Sequence, residues 1–290
     1  MNNHRVIFAD SRRMPEIKNE SVQLMITSPP YWCIKDYFHP GQIGFSQSYE
    51  EYVNDIRQVL EETYRVLSPG CRAAVNIGDQ YLRAKDFGRY RVQPIPADIT
   101  VAAREIGFDF MGNIIWKKIS TTKTTGGGSW MGSIYHPKDG HITYEHEYII
   151  ILKKPGDWPK PTKEQKEKSK LTKEERSSWF RGIWEIHPER QEDHIAMFPL
   201  EVPYRLIKMY SFYGETVLDP FLGSGTTIKA AKMLGRKGIG YEINKNFESI
   251  IRKKVESDCL NLFDDSEVTF ETRIEFFKKK EECKEILQFA

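Results

Sequence analysis

The amino-acid sequence predicts an α/β fold with a mostly parallel sheet. Short β-like runs alternate with helical ones along most of the chain, the pattern left when crossover helices link parallel strands. In the last third, an apolar strand runs straight into a glycine turn and then a helix. The chain has 290 residues, 39% hydrophobic, with mixed charge and no apolar run of bilayer length, so one substantial globular core is expected.

Each element has a local reason. RVIFAD (5–10) and SVQLMIT (21–27) read as the first two strands. Ser48-Tyr49-Glu50-Glu51 has the form of a capping box. Tyr49, Tyr52, Val53, Ile56, Leu60 and Leu67 then recur at helical spacing until Pro69-Gly70 stops the helix. CRAAVNIG (71–78) is the next strand. A helix near 96–106, ended by Gly107, leads into strand FMGNIIWKK (110–118), and TYEHEYIIILKK (143–154) is another β run. Between these two lies a glycine-rich loop over 121–137. Residues 153–176 hold nine Lys or Arg against five Asp or Glu with three prolines, the composition of a solvated insert. Helix (199–213), strand (214–219), helix (226–234) and strand (237–243) follow, and the charged tail over 261–290 is expected to be helical. The chain thus divides into segments 1–120, 121–190, 191–260 and 261–290.

Net charge is +2 and the pI is near 8.2, which neither demands nor excludes a nucleic-acid partner, because binding follows the clustering of Lys and Arg. Cys33, Cys71, Cys259 and Cys283 form no close metal-type pair, and the first residues lack the features of a secretory signal, so a cytoplasmic protein is expected. His141, His146, His187 and His194 show no metal-ligand spacing, and no metal is expected.

VLDPFLGSGTT, residues 217–227, carries the first chemistry. A glycine turn at a helix start lets backbone approach a ligand and offers free N–H groups. A triphosphate-binding loop requires lysine directly after its last glycine, yet Thr226 and Thr227 follow Gly225. The dinucleotide pattern fails too, since Ile228 stands where its third glycine belongs. Asp219 at the strand end disfavours a pyrophosphate and favours an amine or sulfonium, which together with a carboxylate are the charges of S-adenosylmethionine. Glu242 comes 23 residues after Asp219, near the offset at which an acidic side chain meets ribose hydroxyls. A bare strand-to-helix turn with Glu242 on the surface is the competing account.

TSPPYW, residues 27–32, carries the second. Two prolines fix two φ angles and remove two N–H donors, leaving nearby carbonyls rigidly placed. Ser28 Oγ and the Pro29 carbonyl are suited to accept from one NH₂ group while Tyr31 offers a face to a flat heterocycle. Withdrawing both protons of an exocyclic amine toward fixed acceptors makes its nitrogen more nucleophilic. Cys33, nearby, has no neighbouring base in sequence and reads as structural.

Together these stretches resemble the DNA amino-methyltransferases. Ser28-Pro29-Pro30-Tyr31 matches their catalytic tetrad, and Asp219-Pro220-Phe221 with Gly223-Ser224-Gly225-Thr226-Thr227 matches their cofactor motif, tetrad first, the order of the beta class. The likeness extends through Asp10, RVLSPG at 65–70, NIGD at 76–79 and HIAMFPLEVPYRLI at 194–207. It implies a Rossmann-like sheet of seven strands with helices on both faces, a catalytic half over 1–120 and a cofactor half over 191–260. It further implies S-adenosylmethionine held by Asp219, Phe221, Gly223 to Thr227, Glu242 and Asp10, with His194 and Phe198 lining the pocket. The partner implied is double-stranded DNA whose target base is flipped out, in a restriction-modification setting with a possible cognate endonuclease, the enzyme being monomer or homodimer. Members with serine at the first tetrad position mostly modify cytosine N4, which is the expectation here, with adenine N6 as alternative. An RNA or small-molecule methyltransferase and a non-catalytic DNA-binding module are the more distant alternatives.

Region 121–190 is the candidate target-recognition surface. The glycine-rich loop, with Lys123, Trp130, Tyr135 and His136, and Trp32 beside the tetrad, are expected to meet DNA. The insert over 153–190, with Trp158, Trp179 and Trp184, either does so too or is a helical hairpin whose tryptophans pack on the sheet.

Overall fold

A computed structural model describes residues 3–118, 138, 142, 144–187, 199–256 and 266–273. In chain order these give β1 (His4–Phe8), β2 (Val22–Thr27), α1 (Tyr49–Val66), β3 (Leu67–Ile77), β4 (Gln80–Leu82), α2 (Ala84–Phe87), β5 (Arg91–Gln93), α3 (Ile95–Ile106), β6 (Asp109–Lys118), β7 (His146–Lys153), α4 (Lys163–Lys168), α5 (Lys173–Trp179), β8 (Ile183–Ile186), α6 (Glu201–Tyr210), β9 (Thr216–Asp219), α7 (Thr226–Met233), β10 (Lys237–Glu242), α8 (Glu248–Glu256) and β11 (Val268–Thr272).

Alternation along the central strands β2 and β3 sorts their side chains into two of the three core clusters. On β2, Met25 joins the cluster under α1 and α3, while Leu24 and Ile26 join the cluster under α6 and α7; on β3, Ala73 and Val75 take the first side and Ala74 the second. Tyr52, Ile56 and Leu60 of α1 fill the first cluster, and Val202 and Leu206 of α6 fill the second. Such two-sided burial is why β2 reads as a near-continuous apolar run. The capping box holds α1 as expected: Glu51 N donates to Ser48 Oγ (3.2 Å) and Ser48 N to Glu51 Oε2 (2.9 Å).

The sheet runs β11-β1-β10-β9-β2-β3-β7-β6-β8. Its middle seven strands are the Rossmann-like set, with β7 antiparallel to both neighbours and the other pairings parallel. Two edge strands add to the expected seven. One corrects the expectation of a helical tail: Val268–Thr272 pairs parallel with β1, tied by the Arg5–Glu271 ion pair (2.7 Å) and by Phe270 stacked on Phe8. The sequence VTFET, β-branched and aromatic, outweighs the charged neighbourhood that suggested helix.

The insert is a pair of short capped helices, α4 and α5, without buried residues. Trp184 beyond them is 1% exposed in the second core and donates its indole N–H to the Trp179 carbonyl (2.8 Å), while Trp158 lies against Phe212. Trp184 and Trp179 thus pack on the protein, while Trp158 stays 55% exposed. Among the described residues no helix is long and apolar enough to cross a membrane.

Candidate active site

Because β1, β2, β9 and β10 are parallel, their C-terminal ends share one edge of the sheet, where α/β folds bind ligands. A cavity of about 590 Å³ opens there. Its wall takes Asp10 from the end of β1, all four residues Ser28 to Tyr31 from the end of β2, Phe221 and Gly223 after β9, and Glu242 from β10. Two motifs far apart in the chain therefore face one space.

The glycine loop is built from below. Asp219, 1% exposed, accepts from Thr27 Oγ1 (2.8 Å) and Phe221 N (3.0 Å) through Oδ1, and from Thr227 Oγ1 (2.5 Å) through Oδ2. Burial lifts its pKa to about 6 against the opposing pull of these hydrogen bonds. This corrects the expectation that Asp219 meets the ligand: at the end of a central strand its carboxylate is taken up by Thr27 of β2, Thr227 of α7 and the turn at Phe221, so it knits β2, β9 and α7 together and does not line the cavity. Ser224, Thr226 and Thr227 are likewise buried, and Gly225 (φ +93°) is the N-cap of α7; none of the four lines the cavity. Lys254 of α8 donates to Ser224 Oγ (3.1 Å) and Thr226 Oγ1 (2.9 Å).

Glu242 does face the cavity. Its Oε2 accepts from Gly223 N and its Oε1 from Asn244 N, both at 2.9 Å. Burial, with a smaller push from Asp219, raises its pKa to about 7. At the neighbouring wall Asp10 is held by a fork from Arg12, Nε at 2.8 Å and Nη2 at 2.5 Å, and Arg12 also reaches Asp55.

The tetrad is fixed from outside its own sequence. Tyr52 of α1 donates its hydroxyl to the Pro30 carbonyl (3.0 Å). The Tyr31 hydroxyl accepts from Gly78 N (3.1 Å) and bonds Glu147, and burial, with the charge of Glu147, pushes its pKa well up. Glu147 in turn accepts from Asn76 Nδ2 (2.7 Å) and pairs with Lys118. Asn76, Lys118, His146 and Glu147 line the cavity, as does Asp79, whose pKa burial raises. Sequence reasoning missed this second wall, although NIGD at 76–79 marked one part of it. Strands β6 and β7 reach it from segments that read only as β structure.

Trp32 needs correction. It is 7% exposed, donates its indole N–H to the Gln47 carbonyl (2.9 Å) and packs edge-on against Tyr49, so it belongs to the core and not to a DNA surface. Cys33 receives a hydrogen bond from Gln80 Nε2 (3.4 Å), and burial raises its pKa, opposite to what a nucleophilic thiolate requires. His194, Phe198, Lys123, Trp130, Tyr135 and His136 lie outside the described residues.

Comparison with known proteins matches this picture. Over 283 residues the chain is 39% identical to the Type II methyltransferase M.MjaI of Methanocaldococcus jannaschii, covering 87% of this chain and 91% of that protein. A protein of Thermus thermophilus, solved in complex with S-adenosyl-L-methionine, superposes with a TM-score of 0.73 at 35% identity, covering 94% of this chain and 100% of the other. The cytosine-N4-specific PvuII DNA methyltransferase shares the fold at a TM-score of 0.63 and 17% identity, over 93% of this chain and 96% of its own. Residues 22–253 match the N6/N4 methyltransferase family, described as DNA methylase, across both motifs and the sheet that joins them, and the chain belongs to that family.

Proposed function

We propose that this protein transfers a methyl group from S-adenosylmethionine to the exocyclic N4 of cytosine in duplex DNA. The observation that carries the reading is the single cavity onto which both the Ser28–Tyr31 stretch and the Phe221–Gly223 loop open. The cofactor-side residues fit the ligand. Glu242 takes backbone N–H bonds from Gly223, Asn244 and Ile243 that keep it in place, and a carboxylate has about four acceptor positions, so acceptor capacity is left for a ribose hydroxyl. Phe221 offers an apolar face, and Asp10 lies at the same wall. S-adenosylmethionine supplies the activated methyl on its sulfonium.

The chain's own residues do the rest. A cavity of this size at the sheet edge requires the base to leave the helix stack. Ser28 Oγ and the Pro29 carbonyl accept the two amino protons, which draws the nitrogen lone pair out of conjugation and aims it at the methyl. Tyr31 stacks on the base, its ring plane held by Gly78 and Glu147. Alignment supplies most of the acceleration. The proton released by the methylated nitrogen has Asp79 and Glu147 at the same wall to receive it. Serine at the tetrad's first position supports N4 of cytosine over N6 of adenine, and the Type II naming of relatives supports a cognate endonuclease.

The test is incubation with methyl-labelled S-adenosylmethionine and duplex DNA, followed by nucleoside analysis. Label in N4-methylcytosine is the expected result. Label in N6-methyladenine replaces the acceptor and keeps the site; label only in RNA or protein, or none at all, refutes the proposal.

A further inference from the structure

A base held in the cavity leaves a duplex to be gripped beside it, and a grip on that duplex presupposes the proposed action on DNA. Asp79 and Tyr81 line the cavity, and the chain runs from them directly into β4, α2 and β5, a small sheet separate from the main one. Residues 82–93 contain Arg83, Lys85, Arg89 and Arg91 against a single carboxylate, Asp86. All four cations are exposed. Asp86 engages Arg83 (2.9 Å), a surface pair of little strength.

The arm's inner side is apolar and anchored. Leu82 is buried, Phe87 lies 5.5 Å from Trp32, and Tyr81 contacts both Tyr90 (6.1 Å) and Tyr144 (5.4 Å). Tyr144 N donates to the Tyr81 hydroxyl (3.1 Å), and Tyr144 itself lines the cavity. So an aromatic ladder fixes the arm to the mouth of the site while its cations point outward. The insert contrasts with it. None of its described residues lines the cavity, and two of its lysines, Lys168 and Lys170, are paired with Glu164 and Glu167. We infer that the β4–α2–β5 arm is the phosphate grip of this enzyme, with Lys85, Arg89 and Arg91 on the DNA backbone flanking the everted nucleotide.

Phosphate contacts release counterions, and each lost contact lowers the slope of log affinity against log salt by about 0.9. The test uses the full chain and a fluorescently labelled duplex of random sequence, titrated over a range of KCl. Replacing Lys85, Arg89 and Arg91 together by Gln should lower the slope by about 2.7, so that the affinity deficit shrinks about sixfold with each doubling of salt. Binding of labelled S-adenosylmethionine and the melting temperature should stay unchanged, since the three side chains are exposed. If the triple variant folds poorly, Arg89→Gln alone should lower the slope by about 0.9. An unchanged slope overturns the inference. So does an equal loss from Lys166→Gln, Lys168→Gln and Lys170→Gln in the insert, which would make the attraction diffuse. If the unaltered protein fails to bind duplex even at low salt, the DNA reading itself falls; if it methylates DNA while the arm variants keep their slope, only the arm does.

Discussion

Cofactor affinity should depend on pH through Glu242. Ribose hydroxyls donate best to an ionised carboxylate, yet burial holds this one near a pKa of about 7. If the bound state requires the charged form, affinity falls about tenfold between pH 8 and pH 6, about 1.4 kcal/mol, and binding at pH 6 releases close to one proton. Calorimetry of S-adenosylmethionine binding in two buffers of different ionisation enthalpy reads both quantities. Glu242→Gln should flatten the profile. It should also weaken binding throughout, because its NH₂ would confront the Gly223 or Asn244 N–H, at a cost of about 1–3 kcal/mol. The sign for stability is the opposite one. The folded, ligand-free protein keeps a proton that the unfolded chain gives up near the ordinary value of 4.5, so this group's contribution is full below that pH and lost as pH rises through about 7. The shift corresponds to about 3 kcal/mol. Equal affinity at pH 6 and 8, or a Gln variant that keeps the wild-type profile, would refute the reasoning.

Three further outcomes are expected. Asp219→Ala strands Thr27, Thr227 and Phe221 N under the loop and should destabilise the fold by about 3 kcal/mol, seen in urea unfolding; full stability with lost cofactor binding would mean that Asp219 acts on the ligand instead. Tyr31→Ala should cut turnover at least about a hundredfold with cofactor affinity nearly intact, whereas Tyr31→Phe keeps the ring and loses only its tether to Gly78 and Glu147, so its kcat should fall by about tenfold or less; a parallel loss of cofactor binding in the Ala variant would count against the placement. Gly240→Ala drives a methyl to 2.6 Å from Leu222, which holds the glycine loop through its N–H to the Tyr241 carbonyl, and should cost about 1–3 kcal/mol together with cofactor affinity, measurable by thermal shift with and without ligand.

Much of the fold and site was legible because the informative residues act locally. The capping box at Ser48, the buried run of β2 and the glycine turn at 223–225 are each specified by neighbours in sequence, and each stands where its pattern puts it. What escaped was tertiary. Nothing near Glu147 announces that it reaches the Tyr31 hydroxyl, because the two meet only once β7 pairs with β3. Trp32 sits beside the tetrad yet turns inward, since the ring is captured by Tyr49, Phe87 and the Gln47 carbonyl, all remote from its own turn. The basic arm is hard to read from sequence because only the fold sets Asp79 and Tyr81, from which it runs, at the cavity wall, whereas none of the insert's described residues lines it.

The glycine motif holds a sharper lesson about how composition encodes a binding site. Its most ligand-like side chains, Asp219, Ser224, Thr226 and Thr227, are all buried and bonded to the protein, while the motif residues that reach the cavity are Pro220, Phe221 and Gly223, joined from the next strand by Glu242. A polar side chain that caps a turn from inside fixes the direction of backbone N–H groups, and that direction is what a ligand meets. The motif's polar residues thus specify a loop shape, and beside it the carboxylate that faces the cavity is that of Glu242, which the loop itself holds in place. It follows that Thr227→Val, which removes one bond to Asp219 while keeping the side chain's volume, should loosen the loop and weaken cofactor binding without touching the cofactor.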